Sequence, residues 1–72
     1  MTYIVFCHEA VNYYVSVKTE QRFGQAVFNY LNKVRPDIAD QIVDTEYDCF
    51  YKTFVDDAVW NRIESLWNAT AS

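Results

Sequence analysis

Thirteen of the 72 residues carry an aromatic ring: five Phe, six Tyr and two Trp. Each ring brings about 150 to 250 Å² of surface, and a chain this short buries only about 60 to 65% of the surface its unfolded form exposes. The core is thin and cannot hide every ring. Either the rings supply stability that a small domain otherwise lacks, or the leftover rings gather in an interface, where aromatics are enriched. Hydrophobic residues at 51% and charged residues at 22% describe a folded domain rather than a disordered one. The longest apolar run, Tyr3 to Cys7, is five residues. A bilayer span needs about 20 and a signal-peptide core about 7 to 15. The expectation is therefore one cytoplasmic domain over residues 1–72, with no membrane span and no Sec export.

The net charge of -4 is unevenly placed. Residues 1–17 carry only Glu9, and residues 18–35 carry Lys18, Arg22, Lys33 and Arg35 against Glu20. The sign then reverses, with Asp37, Asp40, Asp44, Glu46 and Asp48 unopposed by any base over residues 37–48. A general nucleic-acid binder needs a basic field, so direct reading of DNA by Lys18, Arg22, Lys33 and Arg35 is disfavoured.

Chemistry-bearing residues are sparse. Cys7 and Cys49 do not make a disulfide framework, and reduced, buried thiols are expected. Zinc wants four ligands at short spacings, whereas Cys7, His8, Cys49 and carboxylates are the whole supply, so neither metal nor cofactor is expected. On a strand Cys7 and His8 point to opposite faces, which leaves Cys49 with His8 as the one candidate dyad. With a single His, no G-x-S-x-G or Walker motif and little room for a closed pocket, the chain is not read as an enzyme.

Along the chain, Val11, Tyr13, Val15 and Val17 alternate with Asn12, Tyr14, Ser16 and Lys18, the period of a half-buried strand. Tyr3 to Cys7 is equally strand-like, so residues 1–18 predict a β-hairpin turning at His8 to Ala10. From Thr19, a candidate N-cap, the period becomes helical: Phe23, Val27, Tyr30, Leu31 and Val34 line one face. Gly24 inside that helix implies close backbone packing or a contact surface. Pro36 ends the helix through Arg35 and suits the first position of the next. There Ile38, Ala39, Ile42 and Val43 form a buried stripe, and Asp37, Asp40 and Asp44 the opposite face. Residues 44–54 mix turn and strand signals and read as an ordered loop or a strand. Val59, Trp60, Ile63, Leu66 and Trp67 then mark a last helix, N-capped by Asp56 with Val55 and Trp60 as a hydrophobic staple. The fold class predicted is a small α+β domain, ββααα, with a helical part over 19–67 and a frayed end over 68–72.

Three blocks of residues together resemble a known pattern. Arg22, Gly24, Gln25, Ala26, Asn29 and Leu31, then Arg35, Pro36, Asp37 and Ala39, then Thr45, Asp48, Phe50 and Tyr51 fit R-x-G-Q-A-h-x-N-x-L, R-P-D-h-A and T-x-x-D-x-F-Y, where h is apolar. The chain is similar over residues 22–67 to short, mostly uncharacterised tailed-phage proteins. Cys49 departs from them, standing where Pro is more usual. The resemblance implies a phage accessory protein acting in the host cytoplasm, and it assigns a role to no residue.

The functional expectation is a non-catalytic binder that engages and inhibits a host protein such as a nuclease, polymerase or defence factor. Asp37, Asp40, Asp44, Glu46 and Asp48 would offer carboxylates to a basic cleft that normally receives phosphates. Arg22, Gln25 and Asn29, at i, i+3 and i+7, would share a polar helix face beside Gly24. The plainer reading of each is structural: Asp residues gather where a helix begins and a turn follows, and polar helix faces are usually just solvated. The alternative class is a self-associating structural or regulatory protein, a homodimer in which the basic segment of one copy meets the acidic segment of another and the rings of the last helix pack between them.

Overall fold

The computed structural model describes residues 1–70, which form four helices: α1 (Tyr3–Val17), α2 (Phe23–Val34), α3 (Pro36–Ile42) and α4 (Asp57–Thr70). No strand occurs among the described residues. The α+β class and the hairpin over 1–18 are therefore corrected to an all-helical fold.

The reason lies in α1. Tyr3, Phe6, Cys7, Ala10, Tyr13, Tyr14 and Val17 recur at helical spacing, and all seven are buried or half-buried. The alternation that suggested a strand splits on the helix, with Tyr13 and Val17 turned inward and Val11 and Val15 outward. His8 to Ala10 holds no residue that favours a tight turn, and a lone two-stranded hairpin is marginal in water. As a helix the segment instead packs Phe6 against Trp67 at 5.1 Å between ring centroids and stacks it on Tyr30 at 6.0 Å. Two long-range hydrogen bonds fix its start: Tyr3 Oη donates to the Trp60 carbonyl (3.2 Å), and Trp67 Nε1 donates to the Met1 carbonyl (3.2 Å). Thr2 caps the first turn through Val5 N–H.

α2 begins later than Thr19 predicts. Because α1 runs to Val17, residues 18–20 are spent reversing the chain, and Arg22 takes the N-cap position without a side-chain cap. Val27 and Leu31 bury the expected face. Arg35, held at φ -142° and ψ 71° ahead of Pro36, separates α2 from α3. α3 buries Ile38, Ala39 and Ile42, but Val43 lies beyond its end and is exposed. Asp56 Oδ1 accepts from Val59 N–H at the start of α4, whose Val59, Ile63, Leu66 and Trp67 complete the core. Asn68 to Thr70 form the last helical turn, where Thr70 Oγ1 donates to the Leu66 carbonyl. The rest of the expected frayed end lies outside the described residues.

Candidate functional site

Residues 43–56 connect α3 to α4 without regular structure, yet they are held at several points. Asp44 adopts a left-handed φ of 60°, a conformation that Asp tolerates better than most residues. Thr45 Oγ1 donates to the Ile42 carbonyl (2.6 Å) and accepts from Tyr47 N–H (3.1 Å). The Asp48 carboxylate accepts from Asp44 N–H (2.8 Å) and Phe50 N–H (2.9 Å), closing the turn on itself. Cys49 is fully buried, and that burial, with Asp48 adding to it, pushes its thiol up to about 11.

Gly24 explains why the loop can lie against α2. Its N–H donates to the Lys52 carbonyl (3.0 Å), and a Cβ at this position would sit only 2.5 Å from that oxygen and collide with the Cys49 carbonyl as well. The close backbone approach that Gly24 implies is made by the chain's own loop. Phe50 adds a ring anchor, edge-on to Phe28 at 5.8 Å. The neighbouring Tyr51 packs edge-on to Phe50 at 5.0 Å but is 77% exposed, and Phe54 is 63% exposed. The other eleven rings are buried or half-buried. The surplus aromatic surface expected from composition thus falls in one short, anchored stretch.

The acidic residues divide by role. Asp37 is paired with Arg35, whose Nε and Nη2 donate to its two oxygens at 3.0 and 2.8 Å. That hydrogen bonding holds the Asp37 carboxyl below the usual carboxylate range. Arg35 also donates to Thr70 Oγ1 (2.6 Å) and lies 4.9 Å over the Trp67 ring, joining three helices. Asp48 is occupied by the turn. Asp40, Asp44 and Glu46 remain exposed, leading into and through the loop.

Arg22, Gln25 and Asn29 make separate side-chain bonds. Arg22 Nη1 donates to Gln25 Oε1 (3.2 Å), and both border a shallow open depression of about 450 Å³ with Tyr14, Lys18, Phe23 and Thr53. Asn29, half-buried like Gln25, donates to Gln21 Oε1 (3.1 Å), while Gln21 Nε2 donates to Tyr13 Oη (3.4 Å). The four basic residues are likewise split. Lys18 caps the end of α1 and Arg22 the start of α2, while Lys33 and the engaged Arg35 lie at the end of α2. Cys49 is enclosed and His8 is exposed on α1, so the two do not make a dyad. Among the described residues no group of three or more His, Cys, Asp or Glu could hold a metal ion, and no helix is long and apolar enough to cross a membrane.

The sequence reading missed Tyr51 with Phe54 as an exposed pair. Nothing in local periodicity marks which ring of an irregular segment stays outside. No family model, curated protein or solved structure matches this chain.

Proposed function

We propose that this chain is a non-catalytic binding protein of the phage accessory type its sequence resembles, and that it engages and inhibits a host protein in the host cytoplasm. The observation that carries the reading is the exposure of Tyr51 and Phe54 on a loop held from both sides, by Gly24 and by Asp48. Exposed rings on a fixed backbone lose little freedom on binding, which is what makes Tyr and its like effective anchors. Asp40 on α3 and Asp44 and Glu46 in the same connection are exposed and bring negative charge that favours a basic partner. The partner is accordingly a protein with an apolar hollow bordered by Arg or Lys, the surroundings of a phosphate-receiving cleft.

The test is capture of the partner from host lysate, followed by calorimetry on the purified pair. Tyr51→Ala with Phe54→Ala should weaken binding by about 2 to 4 kcal/mol, the range of interface anchors. Asp40→Asn, Asp44→Asn and Glu46→Gln together should weaken it further and flatten its salt dependence. Failure to capture any protein, or a captured protein indifferent to both sets of substitutions, contradicts the reading.

A further inference from the structure

The open depression beside the start of α2 has a volume of about 450 Å³, within the range of about 300 to 1,000 Å³ usual for small-molecule pockets. Its walls come from three parts of the chain: Tyr14 near the end of α1, the turn from Lys18 to Arg22 leading into α2, and Thr53 of the loop. The turn is fixed, because Glu20 N–H and Gln21 N–H both donate to the Val17 carbonyl, at 2.8 and 2.9 Å. The rings of Tyr14 and Phe23 stand edge to face at 5.1 Å between centroids. Both are only half-buried, so each keeps part of its surface for the depression they line.

Charge and shape select the ligand. Lys18 and Arg22 both border the depression, and neither is ion-paired: the one ion pair among the described residues joins Arg35 to Asp37. Gln25 Oε1 holds Arg22 Nη1 at 3.2 Å, which leaves the other N–H groups of the guanidinium for an anion. An ammonium and a guanidinium fork at one site suit a phosphate group. Phosphate alone would leave the two rings unused, whereas a nucleobase brings a flat face that aromatic side chains stack against. Glu20 is the one carboxylate among the lining residues, and together with the chain's net charge of -4 it opposes the many phosphates of a nucleic-acid strand. A single nucleotide brings one phosphate and one base.

We propose that this depression binds a mononucleotide, with the phosphate on Lys18 and Arg22 and the base against Tyr14 and Phe23. Both cations are exposed, so solvent and salt weaken their hold and the dissociation constant falls near about 1 mM. The site uses neither Tyr51 nor Phe54 and needs no host protein. It therefore stands or falls apart from the binding reading above.

Titration of the full chain with adenosine monophosphate, followed through amide chemical shifts, tests it. The shifts should saturate with a midpoint near about 1 mM and centre on Lys18 to Gln25 and Thr53. Inorganic phosphate alone and adenosine alone should each bind at least about tenfold more weakly. Lys18→Gln with Arg22→Gln, both at exposed positions, should keep the melting temperature and weaken binding of the nucleotide at least about tenfold. Glu20→Gln removes the opposing carboxylate and should tighten binding about threefold, a gain that damage to the fold does not produce. Three results overturn the proposal: no saturating shift up to about 10 mM nucleotide, phosphate alone binding as tightly as the nucleotide, or an affinity that none of these substitutions changes.

Discussion

The outer face of α1 and the loop over residues 43–56 both leave apolar side chains in solvent, and they do so in opposite ways. α1 is regular, offers aliphatic residues and is almost free of charge. The loop is irregular, offers aromatic rings and is set among carboxylates. α1 is held from beneath by ring packing, through Tyr3, Phe6 and Trp67. The loop is held by backbone contacts, through Gly24, Thr45 and Asp48. Exposure alone does not say what a surface is for; the charge around it and the way it is held narrow the choice. The carboxylates around the second surface are what the proposed function reads as favouring a basic protein.

The largest expected effect loosens α1 and leaves the loop's anchors intact. Trp67 is 4% exposed and touches both Tyr3 and Phe6, so Trp67→Ala should cost about 3 to 5 kcal/mol in denaturant melts. Trp60 is only half-buried, and Trp60→Ala should cost less. Equal losses at the two positions would contradict the packing described for α1.

Gly24→Ala attacks the other side of the comparison. Its Cβ meets backbone carbonyls that cannot swing aside, and a cost of about 3 kcal/mol, the upper part of the overpacking range, is expected. Because the loop must shift, partner binding should fall. A stable Gly24→Ala variant that binds normally would show that the loop is not held in this way.

Alkaline titration probes the loop's buried thiol. The Cys49 thiol is raised from its ordinary 9.0 to about 11. The unfolded chain therefore releases this proton first, so stability present below about pH 9 drains away as pH climbs towards 11. At about 1.4 kcal/mol per pH unit the loss is roughly 2 to 3 kcal/mol. Cys49→Ala should abolish the part of the slope that begins near pH 9, and an unchanged slope would place the effect elsewhere.

Smaller changes follow at the loop's own bonds. Asp48→Ala strands the Asp44 and Phe50 N–H groups, at a cost of about 1 to 2 kcal/mol in thermal melts. Tyr51→Ala and Phe54→Ala, both at exposed positions, should change stability by no more than about 0.5 kcal/mol. A large loss from either would mean that the rings support the core and are not free for a partner.

Much of this was legible from particular residues. In α2, α3 and α4 a single apolar stripe stands against a polar face, so Val27 with Leu31, Ile38 with Ile42, and Ile63 with Trp67 announce their helices. α1 hides its nature because both of its faces are apolar. Val11 and Val15 from the outer stripe interleave with Tyr13 and Val17 from the inner one and imitate the period of a strand. Gly24 could be read as a point of close approach, but only the fold shows that Cys49 and Lys52 make it. Gly24 and Phe28, both on α2, receive the segment that Thr45, Asp48 and Phe50 shape. Asp37 and Asp48, read from the sequence only as members of an acidic surface, also bond Arg35 and the turn, which spacing alone does not reveal.

The separation of the two surfaces is the central claim, and one amide chemical-shift experiment on the full chain addresses it. Adding the captured host protein should move residues 44–54 and leave α1 in place. If the captured protein shifts the amides of α1 instead, or leaves residues 44–54 unmoved, the assignment of the loop as the partner-facing surface is wrong.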